Sequence, residues 1–192
     1  MALLKCGIMG ARIRYPSARR LFVGVLVSFV AFSQTIDEYQ VKAAFLYNFA
    51  KFVAWPPQTF KSDKDPMRIC VLGQNPFGHA LTDVVEGKTV LGRSFVITDL
   101  SNAGQAAECQ MLFISSSEHK HLRAILGQLP PSGILTVGET EGFAAQGGIV
   151  NFRLQQGRVR LEINVEAAEH ANLRISSKVL ELAQIVKSGV PK

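Results

Sequence analysis

Short apolar strands that alternate with helical stretches constrain this chain more than any other feature. Arg68-Ile69-Cys70-Val71-Leu72, Ser94-Phe95-Val96-Ile97, Gln110-Met111-Leu112-Phe113-Ile114 and Ile134-Leu135-Thr136-Val137 read as four strands. A helix through Val85 follows the first, with Pro76 at its opening position. Another, from Glu118 through Leu126, lies between the third and fourth. Ser115-Ser116-Ser117 caps it and Pro130-Pro131 ends it. Strand–helix alternation of this kind builds a three-layer α/β/α sandwich around a mostly parallel sheet.

The C-terminal part departs from that rhythm. Ile149 to Leu154 is a fifth strand, and Gln155-Gln156-Gly157 is a tight hairpin turn. Val159, Leu161, Ile163 and Val165 then alternate with Arg160, Glu162, Asn164 and Glu166. That period of two describes a strand with one buried and one polar face. The hairpin is therefore expected at a sheet edge, adding antiparallel character. Ala167 to Ala171 is one or two helical turns, which Asn172 ends. Ser176 or Ser177 caps a last helix, Val179 to Val186, whose apolar character places it on the sheet.

The first helix opens at Thr35, three residues before Glu38, which is capping-box spacing. It carries Val41, Ala44, Phe45, Leu46, Phe49, Phe52 and Val53. These spread beyond the ~100° stripe that a core-facing helix needs. Either the helix is sandwiched in the core or one flank meets a partner. Trp55-Pro56-Pro57 stops it.

The chain has 192 residues and a formal charge of +6, which would suggest a nucleic-acid or membrane-surface binder if the charge were spread. It is not. Of the 21 basic residues, Lys5, Arg12, Arg14, Arg19 and Arg20 fall in residues 1–33, which hold no acid; 16 basic residues then face 15 acidic ones. A basic n-region, the apolar run Leu21–Phe32 and small residues at Ala31 and Ser33 read as a signal peptide over 1–33, with one domain over 34–192. An uncleaved anchor is the competing reading, and Arg19-Arg20 admits twin-arginine export beside the general route. Cys6 lies in the leader, leaving Cys70 and Cys109 as an even pair in an oxidising compartment. A bridge between them and two buried free thiols are both open on these grounds.

No constellation declares a catalytic role. His79, His119, His121 and His170 are scattered, and His119-x-His121 lacks the i, i+4 spacing of a helical metal pair. The serines after the third strand lack the glycines of a nucleophile elbow. Gly73-Gln74-Asn75-Pro76-Phe77-Gly78 is neither a dinucleotide fingerprint nor a P-loop. No enzyme activity, metal or cofactor is expected.

One family does match this pattern of residues. Lys42-Ala43-Ala44-Phe45-Leu46-Tyr47-Asn48-Phe49-Ala50-Lys51-Phe52 followed by Trp55-Pro56 resembles the opening helix of the YfiR-like periplasmic proteins. So do Ile69-Cys70-Val71-Leu72-Gly73, Pro76-Phe77, Gly92-Arg93 and Cys109 before Leu112-Phe113-Ile114. Arg160-Leu161-Glu162-Ile163-Asn164 and Leu173-Arg174-Ile175-Ser176-Ser177-Lys178-Val179-Leu180 complete the set.

The resemblance implies a non-catalytic exported regulator. It would bind the periplasmic sensor region of an inner-membrane signalling protein, a diguanylate cyclase, and lower cyclic di-GMP and biofilm formation. The alternative is a small-molecule-binding module serving another sensor, such as a histidine kinase. The resemblance implies a Cys70–Cys109 bridge and assigns Glu162 and Arg174 to a contact or ligand surface. Phe45, Phe49, Phe52 and Trp55 join Glu162 as expected partner contacts, and Arg174, Ser176 and Ser177 as expected contacts for a small anionic or aromatic ligand. Nucleic acid is not expected; a homodimer is compatible with the reading. Some relatives carry a second cysteine pair near Gly142–Gly148, which this chain lacks.

Overall fold

A computed structural model describes residues 38–189. The leader expected over 1–33 and the capping box expected at Thr35 lie outside them. Helix α1 (Glu38–Phe52) runs into a two-residue strand, β1 (Val53–Ala54). Strands β2 (Met67–Leu72), β4 (Arg93–Leu100), β5 (Met111–Ile114) and β6 (Leu135–Gly138) are the four expected from the sequence. Helices α2 (Ala80–Val85) and α3 (Leu122–Gln128) connect them, and a short β3 (Thr89–Val90) precedes β4. The hairpin is β7 (Val150–Gln155) and β8 (Arg158–Asn164). The chain ends in α4 (Val165–His170), β9 (Arg174–Ile175), α5 (Ser177–Leu180) and β10 (Ala183–Val186).

The main sheet has eight strands in the order β10-β8-β7-β6-β5-β2-β4-β3. The β2–β4, β2–β5, β5–β6, β6–β7 and β8–β10 pairings are parallel; β7–β8 and β3–β4 are antiparallel. The α/β sandwich with a mostly parallel sheet and an antiparallel hairpin is therefore the observed fold. Strands β5 and β6 are buried throughout, as continuous apolar runs covered on both faces must be.

Two apolar layers enclose the central strands. Ile69, Val71, Phe113, Leu135 and Val137 face Ala43, Leu46 and Phe49 of α1 and Leu81 and Val85 of α2. Cys70, Leu72, Leu112 and Ile114 face Ala103, Ala106, Leu122, Ile125 and Phe143 on the other side. The Phe143 ring lies where a Cβ on Gly138 or Gly148 would have to go, so both positions need glycine for space. Cys70 and Cys109 form the disulfide, with 6.0 Å between their Cα atoms. Pairing of β2 beside β5 brings them together.

Three expectations are corrected. Val179–Val186 is not one helix: α5 stops at Leu180, and Ala183–Val186 is a strand parallel to β8. A run as short as Ala183-Gln184-Ile185-Val186 does not distinguish a helix from a strand by periodicity, and β-branched Ile185 and Val186 favour the strand. The β7–β8 hairpin is consequently interior to the sheet rather than at its edge. Last, α1 has no open apolar flank. It packs on α2 and α5, and from Val41 to Val53 only Lys51 is exposed. Helix α1 is sandwiched along most of its length, and only its last turn, with Lys51 and half-buried Phe52, borders an open concavity.

Candidate functional site

The end of α1 meets the chain's last third through a small ribbon. Val53 pairs with Ile175 and Ala54 with Arg174, antiparallel, and Ser176 N–H donates to Phe52 O at 2.9 Å. Proline after Trp55 keeps this segment extended instead of helical. The ribbon places Phe52, Arg174 and Ser176 around one open concavity of about 430 Å³. Lys51, Val53, Ala54, Ile175 and Leu91 complete its wall, and Leu91 is 83% exposed.

The charge of this groove is one-sided. Lys51 Nζ sits 5.7 Å from the Phe52 ring centroid and 5.3 Å from that of Tyr47. Lys178 Nζ lies 6.0 Å from the Phe52 ring. Arg174 projects into solvent from β9. Among the described residues, no carboxylate lies within ion-pair distance of Lys51, Arg174 or Lys178. An apolar surface with Lys51 and Arg174 in its wall and Lys178 beside Phe52, none of them with an acidic partner among the described residues, suits an anionic group carried on an apolar or aromatic body. Ser176 itself is committed to capping, since its hydroxyl accepts from Lys178 N–H; Ser177 is exposed on α5.

The other expected residues lie elsewhere. Phe49 is only 1% exposed and stacks on Phe152, so it belongs to the core and cannot contact a partner from this surface. Phe45 is half-buried against the same ring. Trp55 donates its indole N–H to Gln110 O at 3.0 Å, fastening the end of α1 to the entrance of β5.

Glu162 is 9% exposed, not on an open polar face. It accepts from Asn151 Nδ2 at 3.0 Å and from Arg153 Nη1 at 3.1 Å. The strand alternation is real, but every residue of β8 beyond Arg160 is buried, so its polar face is covered as well as its apolar one. Glu162 lines a second concavity with Arg153, Arg160, Leu182 and Gln184, separate from the one holding Arg174. The two residues therefore do not share a site.

A polar centre that the sequence did not reveal lies at the carboxyl ends of the strands. Lys42 of α1 is buried and pairs with Glu139, just past β6, at 2.6 Å, and with Glu38 one turn back. Burial alone would push the Lys42 ammonium down; hydrogen bonds to Glu139 and Glu38 outweigh it and hold the group above its ordinary value. Burial, with the charge of Glu139 beside it, also raises the Tyr39 hydroxyl. A crevice lined by Tyr39, Gln74, Asn75 and Ser115 to Ser117 adjoins this centre. Its amides are taken internally: Ser117 Oγ accepts from Gln74 N–H, and Glu139 from Ser116 N–H. No three metal-ligating side chains come together among the described residues.

The chain is similar to several solved structures, among them two α/β domains, the first of which shares its fold. One is the ABC domain from Streptococcus pneumonia in complex with L-Trp, at 12% identity and a TM-score of 0.50 over 78% of this chain. The chain spans 60% of that protein's length. The other is a conserved domain protein from Vibrio cholerae, at 14% identity and a TM-score of 0.46, covering 62% of this chain and 54% of that one. No curated protein matches the chain. A family model described as YfiR/HmsC-like does match, over residues 39–184, from the first turn of α1 to the middle of β10. The chain belongs to the YfiR/HmsC-like family.

Proposed function

We propose that this protein is an exported, non-catalytic regulator. It binds and restrains a membrane-bound sensor, a diguanylate cyclase, in the periplasm, and so lowers cyclic di-GMP output and biofilm formation. Family membership supports the regulatory class. The disulfide and the leader at 1–33 favour an oxidising compartment. Among the described residues no helix is long and apolar enough to cross a membrane. The observation that carries the site is the groove at the end of α1, with Phe52 and Leu91 as apolar surface and Lys51, Arg174 and Lys178 unopposed by acid. Acidic groups of the sensor would meet those cations, and an apolar side chain would cover Phe52.

The test is deletion followed by complementation. Loss of the protein should raise cyclic di-GMP and surface attachment. Arg174→Glu should fail to restore repression while keeping the wild-type melting curve. Unchanged cyclic di-GMP after deletion would remove the cyclase from the reading. The groove's concave shape also favours a second reading, capture of a small anionic aromatic molecule on behalf of another sensor such as a histidine kinase. Calorimetric titration with indole- and purine-bearing anions, with Arg174→Glu as control, separates the two.

A further inference from the structure

We propose that β10 is a self-pairing edge, through which two copies of this chain join their sheets antiparallel about a two-fold axis at Gln184. Strand β10 is the last in the sheet, and among the described residues nothing pairs with its outer side. Leu182, just before it, is 68% exposed and Ile185, within it, is 52% exposed. A bare strand edge with apolar side chains beside it is a template for another strand.

The geometry of antiparallel pairing selects the register. Successive residues of a strand turn their N–H and C=O groups to opposite sides, and directly opposed residues must both turn theirs toward the shared ladder or both away. Two identical strands can therefore pair only in registers in which some residue opposes its own copy. For β10 that leaves Ala183, Gln184 or Ile185 at the axis. With Ala183 there, Glu181 falls opposite the apolar Ile185. With Ile185 there, Lys187 falls opposite Ala183. With Gln184 there, Leu182 meets Val186, Ala183 meets Ile185, and Glu181 meets Lys187, each twice. Only this register matches apolar with apolar and acid with base along its whole length. Glu181 and Lys187 are both exposed and have no ion-pair partner within the chain among the described residues. This charge complementarity identifies the occupant as a second copy instead of an unrelated strand.

Cysteine cross-linking reads the register directly. Directly opposed residues have Cα atoms about 4.5–5.5 Å apart, within disulfide reach. With Cys6 replaced by serine, Gln184→Cys should give a covalent dimer on mild oxidation. Ile185→Cys alone should not, but it should cross-link when mixed with Ala183→Cys. In sedimentation, Glu181→Lys or Lys187→Glu should weaken self-association about tenfold, since two attractive contacts become repulsive. The double exchange Glu181→Lys with Lys187→Glu should restore it. At dilutions where the chain is monomeric, the variants at Glu181, Gln184, Ile185 and Lys187 should melt as the parent does, because those positions are exposed; half-buried Ala183 serves for cross-linking alone. A monomer up to the solubility limit overturns the proposal. So does a dimer indifferent to the charge changes, cross-linking at Ile185 equal to that at Gln184, or capture of a different membrane protein by Gln184→Cys in place of its own copy.

Discussion

At one margin of the sheet, β4 is finished by its own neighbourhood. Two-residue β3 folds back on it, and Arg93 donates to Ser62 O and Asp65 O at 2.7 and 2.8 Å while lying over the Phe60 ring. Lys88 sits over Tyr47, which packs on Phe95 of β4. At the other margin, β10 has no strand outside it among the described residues and leaves Leu182 and Ile185 in solvent in the single chain. Charges, a hairpin and a short outermost strand are the usual ways of blunting an edge, and the β4 side uses all of them. The contrast separates the roles of the two ends. The β2–β5–β6 part is clothed on both faces and serves as scaffold, with β4 half-buried beside it. The β10 end leaves a strand edge open, while the groove at Arg174 is a separate open surface, walled in part by Leu91 of the β3–β4 turn.

Removing the scaffold's staple has the largest expected effect. Cys70→Ser opens a link across a 39-residue separation and should cost about 4 kcal/mol in the chain-entropy description. Denaturant titration of the oxidised variant checks it; an unchanged midpoint would mean the scaffold does not depend on the bridge. Next comes crowding of the second apolar layer. Gly148→Ala drives a methyl into the Phe143 ring and should cost about 1–3 kcal/mol, visible in the same titration.

A pH-dependent effect is smaller. Lys42 and Tyr39 hold their protons more tightly in the folded chain than in the unfolded one. Their contribution is complete below the unfolded values of about 10.4 and 10 and is lost as pH rises through the higher folded values. Stability should thus decline on the alkaline side, and Lys42→Met should flatten that decline between about pH 9.5 and 11.5. The smallest effect is expected at the open margin. Measured at a dilution where the chains are dissociated, Leu182→Asp should change stability by no more than about 0.5 kcal/mol, because its side chain is exposed in the single chain. A large loss there would erase the distinction between the two ends.

The scaffold was legible because its strands are written as uninterrupted apolar runs punctuated by glycine and proline. Ile69 to Leu72 and Met111 to Ile114 could face only other apolar groups, whichever way they turned. The open end was misread for an equally physical reason. Leu180 to Val186 suits a helix by composition, and only the distant partner Leu161–Asn164 makes its second half a strand. Glu162 looked solvent-facing because alternation reports a side of the strand, not what covers that side. Asn151 and Arg153, which hold it, come from the neighbouring strand of the hairpin. Lys42 lies 97 residues from Glu139, and no local spacing announces such a pair. Arg174, Phe52 and Ser176 were individually visible, but the ribbon that gathers Phe52 with the other two was not.

The position of the disulfide also decides what the chain can exchange. Cys70 and Cys109 close a covalent ring, and α2, β3 and β4 all lie on the segment between them. With that ring shut, two copies cannot trade the β4 margin, because neither has a free end to thread through the other. The β10 margin lies outside the ring. Under oxidising conditions any swapping between copies is thereby confined to segments outside the ring, α1 before it or β5 and later elements after it, while reduction would free the other margin as well. The bridge thus acts as a topological lock on one side of the sheet, separately from any free energy it adds.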